Sequence, residues 1–552
     1  MSALPNCNRR KTGSHSLLLA SMLSLVSTVG HAETLRQSTL EFARDPAKVE
    51  ALKKGIAAMK KNSDADQLSP EFRTSLAYWA NIHGYYGNGP HATSAEWRTE
   101  RFELCKSKLP EIDCPTFYKH LIDITPPDDG IAPDIWGTCT HTPSSLHPGP
   151  LNLQFLPWHR MYLYFFERTL ARHTGDPNFA LPYWDYYAET SPSLNGVVLP
   201  AMFYEVDSPL FNHFRTPELN SNRGAIPVNN ASASGAFTER DSFPRFSQVL
   251  EKNPHGLMHC AVGKGCYIPD IGLVPVAGND PLFYVHHTNI DRLWQCWLNQ
   301  KANGQTIDLA WAKTNLGMPD DWYQTSFSFV DENGNKVSMT IADVFTPGKI
   351  PVRYTMENNC PTSVAERAAP LAARATGAPE RKSLLAPHAP MVLAEQVALS
   401  DQTRDIASGT PNQIRRLQGA AMPAPLKTSG GDTYLFLDNV RLKGNPAQTY
   451  NVLLSHARTH KAAYIATFSY FGIGDGTHAK HDAHYDPQLL GDFDYKITNQ
   501  IRELGISSLQ DIRVRFEPTD MLVRRDGKKP VFSKDGITIN KIRVETRAKP
   551  AK

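Results

Sequence analysis

The chain has 552 residues, too many for one hydrophobic core, which predicts two or three domains. Apolar residues at 41% and charged residues at 20% are the balance of a globular protein, not of a disordered one. A formal net charge of +3 gives no electrostatic footprint for nucleic acid.

Arg9, Arg10 and Lys11 precede the apolar run LLLASMLSLVSTV, which is too short to span a bilayer, and Gly30-His31-Ala32 offers small residues for cleavage. The pattern predicts a signal peptide over 1–32, a mature chain from Glu33, and a periplasmic or secreted location of bacterial style. No later stretch is long and apolar enough for a membrane helix, so no membrane association is expected of the mature form. Export permits disulfides. Cys105 with Cys114 and Cys260 with Cys266 are close enough to pair locally, and Cys296 with Cys360 would staple a helix to the segment after it; this hypothesis leaves Cys139 over.

From 33 to 360, apolar helical patterns alternate with loops rich in Pro and Gly. EFRTSLAYWANIHGYYG sets Phe72, Leu76, Trp79 and His83 at three- and four-residue spacing, which puts His83 on a buried helix face. WHRMYLYFFERTLARH, following Pro157, is a second amphipathic helix. A third begins around Pro254. A fourth follows Asp280-Pro281, where Asp caps and Pro suits the first turn. These elements predict a helical bundle with long loops. Residues 361–430, rich in Ala, Pro, Ser and Arg, are expected to form an extended linker. Beyond Gly431, segments such as TYLFLDNVRL, TYNVLLS, AAYIATFSYFG and ITINKIRVE alternate like strands. The fold class is therefore mainly α, with a helical bundle over 33–360 followed by a β-sandwich over 431–552.

The chemistry lies in the histidines. NPHGLMHCAVG places His255 and His259 one helical turn apart, where two imidazoles converge on one metal. The glutamate that a zinc metalloprotease carries directly after its first histidine is absent. DPLFYVHHTNIDRLW offers a third imidazole, and Asp280 and Asp291 are carboxylates able to orient a metal-binding histidine. Upstream, His159 lies in an aromatic helix, WGTCTH contains His141, and His83 is buried. Two sets of three histidines without clustered carboxylates fit a pair of metals bound by neutral nitrogen, and such sites favour copper.

FLPWHRMYLYFFE and DPLFYVHHTNID resemble the two copper signatures of the tyrosinase, catechol oxidase and haemocyanin family, over roughly Ala77 to Leu298. The resemblance implies a binuclear type-3 copper centre with two copper ions. By it, His83, His141 and His159 hold copper A, and His255, His259 and His287 hold copper B, with His286 a structural neighbour. The family's usual spacing before the third copper A histidine falls here on Pro150. His141 is preferred over His147 because Cys139-Thr140-His141 resembles a family Cys-x-His in which cysteine and histidine share a thioether. Glu251, four residues before His255, resembles a family glutamate that assists phenol deprotonation. Gly256, after His255, departs from the Asn or Asp linked to monophenol activity. PYWDY, containing Asp185, resembles a segment packed beside the site, and Phe283 is expected to pack on the copper-binding histidines.

The family's activity, O2-dependent oxidation of o-diphenols to o-quinones with ortho-hydroxylation of monophenols, is the expected function, with small phenols as substrates and oligomerisation left open. The C-terminal domain resembles that of plant polyphenol oxidases, which implies a latent enzyme. A haemocyanin-like oxygen carrier, an o-aminophenol oxidase and a zinc hydrolase are the alternative readings.

Overall fold

The computed structural model describes residues 33–85, 106, 125–140, 153–239, 242–263, 266, 271–356, 360, 388–407, 431–444, 446, 448–468, 470, 489–525 and 530–547. The expected leader, Cys105, Cys114, His141 and His147 lie outside these residues.

The helices that position the site start and stop where their sequences dictate. Helix α1, Pro46–Asn62, is capped by Asp45, carries Pro at its first position and has Lys60 and Lys61 in its last turn. Helix α2, Leu76–His83, begins where Ser75 accepts from Tyr78 N. It ends at Gly84, where a Cβ would lie 2.5 Å from the Val274 carbonyl oxygen, so only glycine lets the 274–275 backbone approach. Helix α3, Phe155–Thr174, is buried along nearly its whole length and stops at Gly175, whose φ of 82° is left-handed.

Helix α4, Phe243–Leu250, leads through the wide turn Glu251–Gly256 into α5, Leu257–Val262; Asn253 leaves helical geometry and Pro254 follows it. Helix α6, Pro281–Ala302, opens with Asp280 accepting from Leu282 N. Helices α3 and α6 pack through Phe166 and Tyr284, stacked at 3.5 Å, while Trp79 of α2 meets Tyr162 and Phe166 edge-on. Disulfides join Cys260 to Cys266 and Cys296 to Cys360.

A buried ionic knot closes this domain. Thr34–Arg36 pairs in parallel with Val352–Tyr354, bringing Arg36 to Glu167 of α3 at 2.9 Å and to Asp291 of α6 at 3.5 Å. Arg160 Nε reaches Asp291 Oδ1 at 2.6 Å, and the Tyr354 hydroxyl donates to Asp291 Oδ2. Each charge has a partner, as burial requires.

The C-terminal domain is a β-sandwich of two antiparallel four-stranded sheets. In chain order its strands include β2 (His388–Leu399), β3 (Arg404–Ala407), β4 (Asp432–Lys443), β5 (Thr449–His456), β6 (Ala462–Thr467), β7 (Leu489–Lys496), β8 (Ile512–Thr519) and β10 (Gly536–Arg547). One sheet runs β7-β4-β10-β2 and the other β6-β5-β8-β3. Phe468 meets Phe493 of the first sheet and Phe516 of the second.

Two of these strands correct the linker reading. Residues 388–399 and 404–407, inside 361–430, pair with β10 and β8 respectively. Their MVLAEQVAL pattern alternates, but the surrounding Ala- and Pro-rich composition hides it.

Residues 33–552 form one compact unit, and the β-sandwich is fastened to the helical domain within it. Strand β9, Val523–Arg524, pairs antiparallel with β1, Gly224–Pro227, of the helical domain. Arg524 also bonds Glu218, and Arg245 of α4 bonds Asp494 of β7.

Candidate metal centre

Histidines from α2, α3, α5, α6 and the turn before α5 meet in one buried cluster. His255, His259, His286 and His287 each bring a ligand atom within 4.8 Å of the others, and His83, Cys139 and His159 form a second such group. The groups adjoin: the His159 and His287 rings stack at 4.3 Å, and Phe155 lies 4.6 Å from His159 and 4.7 Å from His255.

Four of the imidazoles are fixed in the same manner. Nδ1 of His83 lies 3.1 Å from the Val274 carbonyl, and Nδ1 of His159 lies 2.8 Å from that of Phe155. Nδ1 of His255 lies 2.9 Å from the Glu251 carbonyl, and Nδ1 of His259 lies 2.6 Å from that of Ile271. A carbonyl oxygen only accepts, so each Nδ1 carries the proton and each Nε2 presents its lone pair. That is the tautomer that binds metal, oriented by backbone rather than by carboxylates. Gly84 makes the His83 contact available by admitting the Val274 backbone.

His287 differs. Its Nε2 faces His259 Nε2 at 3.1 Å, while its Nδ1, fully buried, has no hydrogen-bond partner. The Phe283 ring packs against it at 4.1 Å and against His83 at 4.7 Å. Burial drives the His287 imidazole well below its usual pKa, with neighbouring His159, His255, His286 and His259 adding to the effect. Burial lowers His286 to about 3. The cluster is therefore a neutral nitrogen donor set, with buried ring nitrogens that a cation would satisfy. Such donors suit copper.

Cys139 Sγ is 3.6 Å from His159 Nε2, and the cysteine belongs to neither of the two disulfides. The thioether expectation itself involves His141, outside the described residues. Glu251 precedes His255 in the wide turn and supplies the carbonyl that holds it.

Two carboxylates need correction. Asp291 makes no hydrogen bond to His287; its oxygens are committed to Arg36, Arg160 and Tyr354. Asp280 caps α6 and forms a two-pronged pair with Arg215, at 2.5 and 2.7 Å. Asp185, within PYWDY, accepts from the backbone N–H of Tyr187 and Ala188 and closes a turn. Spacing along α6 suggested the role for Asp291, but arginines far away in sequence claim it. Sequence reasoning also missed Tyr186, whose hydroxyl lies 2.5 Å from His286 Nδ1. Its one visible signal was the aromatic PYWDY segment.

Comparison with known proteins agrees with this geometry. Residues 75–232 and 212–300 match the common central domain of tyrosinase, and residues 318–364 match the polyphenol oxidase middle domain. A latent-form chloroplastic polyphenol oxidase of Prunus armeniaca is 26% identical, over 66% of this chain and 61% of its own length. The chloroplastic (+)-larreatricin hydroxylase of Larrea tridentata is 32% identical over 36% of this chain and 37% of its own. The chain thus matches less than two thirds of the length of these relatives. Both are plant proteins, so the expected bacterial origin and secretion gain no support from them.

Latent apple tyrosinase has the same fold, with a TM-score of 0.51 at 16% identity, covering 93% of this chain and 97% of its own. Latent aurone synthase gives 0.52 at 17%, covering 95% and 91%. Among the described residues no helix is long and apolar enough to cross a membrane. The matches thus make residues 75–300, which carry the histidine cluster, similar to the common central domain of tyrosinase, and residues 318–364 similar to the polyphenol oxidase middle domain.

Proposed function

We propose that this chain is a type-3 copper phenol oxidase that uses O2 to convert o-diphenols to o-quinones and also ortho-hydroxylates monophenols. The observation that carries the reading is the shared tautomer of His83, His159, His255 and His259, each turned by a backbone carbonyl to offer Nε2. With His287 and, outside the described residues, His141, they would hold two copper ions. Bound there, the copper pair supplies O2 activation and the acceptance of electrons from phenol. Two diphenols and one O2 balance to two quinones and two waters.

The chain's own contribution is geometric and electrostatic. Burial keeps the His287 imidazole neutral, and aromatic rings from Phe155 and Phe283 pack against the cluster. Glu251, in the turn ahead of His255, is the carboxylate proposed to accept the phenol proton. Gly256 offers no side chain to assist it, so diphenol oxidation is the stronger activity.

The same reading includes latency. Strand β7 lies on the segment that carries Glu251 and His255: Lys252 Nζ reaches the Asp492 carbonyl at 3.3 Å and lies 4.7 Å from the Phe493 ring centre. A sandwich held this near the site limits the entry of phenols. Residues 1–32 are read as a removable targeting leader, and export rests on that pattern alone.

Catechol turnover, followed by quinone absorbance before and after limited proteolysis between the domains, tests the proposal. Quinone formation that rises on cleavage supports it. Oxygen binding without turnover in both forms would mark an oxygen carrier instead.

A further inference from the structure

The two adjacent histidines of α6 present a problem that the fold answers. Both are buried within the cluster, and His286 brings a nitrogen within 4.8 Å of those of His255, His259 and His287. The His286 ring is stacked on His255 at 5.4 Å and 15°, and stands 4.5 Å edge-on from His259. Distance alone does not exclude His286 as a metal ligand.

Its anchor does. The other four anchored imidazoles bond carbonyl oxygens, but His286 Nδ1 bonds the Tyr186 hydroxyl at 2.5 Å. Among the described residues the buried Tyr186 hydroxyl has no hydrogen-bond partner but His286 Nδ1, and a ring nitrogen is the one acceptor its proton can reach. The Tyr186 proton is then left for His286 Nδ1, and the imidazole proton is driven to Nε2, where no hydrogen-bond partner meets it.

Resting on the proposed copper site, we infer that Tyr186 is a positioning residue that holds His286 in the Nε2–H tautomer. It thereby denies His286 a lone pair and assigns metal binding to His287. The Tyr186 phenol does for His286 the reverse of what backbone carbonyls do for His83, His159, His255 and His259.

The test is copper content per chain after reconstitution with Cu(I) and desalting, with circular dichroism confirming folding. Wild type is expected to hold two coppers and His287→Ala one. Replacing Tyr186 by Phe removes the phenol proton, so Tyr186→Phe/His287→Ala is expected to regain the second copper, and adding His286→Asn to lose it again. His286→Asn alone is expected to keep two, which tests the inference even if Tyr186→Phe fails to fold. The inference is overturned if His286→Asn alone loses copper, or if the folded double variant stays at one. Wild-type protein holding fewer than two coppers would sink the copper reading itself, a separate result.

Discussion

The Nε2 atoms of His259 and His287 face each other across 3.1 Å, both fully buried. Nδ1 of His259 is bonded to the Ile271 carbonyl, so its Nε2 lone pair points at the second imidazole. A cation between them satisfies both rings. His259→Ala and His287→Ala should each lower quinone formation by more than about 100-fold, since ligand loss exceeds the 10–100-fold typical of outer partners. Steady-state catechol kinetics checks this. Because copper binds the folded chain, its removal by chelation should also lower the melting temperature, and added copper should restore it.

Arg245 and Asp494 join α4 to β7 next to the turn bearing Glu251, and Arg524 with Glu218 forms the second fastening. Both pairs are partly exposed, so each contributes little to global stability. Asp494→Asn should therefore leave the melting temperature nearly unchanged while raising catechol oxidation by uncut protein severalfold. After proteolysis, variant and wild type should oxidise catechol at the same rate. Equal rates before cleavage would show that this contact does not restrain the sandwich.

Asp291 is claimed by Arg36, Arg160 and Tyr354. Asp291→Ala leaves two buried guanidinium groups short of a partner, and it should destabilise the fold by about 3–5 kcal/mol in chemical denaturation. Folded Asp291→Ala should still bind two coppers. Loss of one copper without loss of stability would return Asp291 to the role of orienting His287.

Glu189 makes stability depend on pH. Burial pushes its carboxyl up to about 7, against the opposing Thr39 hydroxyl and with Asp185 adding to the rise. A raised folded pKa means that the protonated acid fits the fold. Its contribution is complete below the ordinary value of 4.5 and is lost as pH rises through about 7. The loss is on the order of 3 kcal/mol at 1.36 kcal/mol per unit. Glu189→Gln should flatten the fall in melting temperature between these two values and stabilise the protein at pH 8.

What the sequence made legible was local. The four-residue spacing of His255 and His259, the Asp280-Pro281 start of α6 and the pairing of Cys260 with Cys266 are all short-range patterns, and the structure contains each. What it hid was long-range. Arg36 reaches Asp291 and Tyr354 across 255 and 318 residues, and no periodicity signals such a partner. Strand β2 was concealed by composition, since Ala and Pro outweigh a short alternation. Tyr186 was invisible as a partner of His286 because a phenol within an aromatic run reads as core until its hydroxyl is placed.

The most direct measurement of the central claim is the metal content of the purified wild-type chain after reconstitution. Two coppers per chain, with no zinc retained, is the predicted result. One copper, or tightly held zinc in its place, would contradict a binuclear copper site.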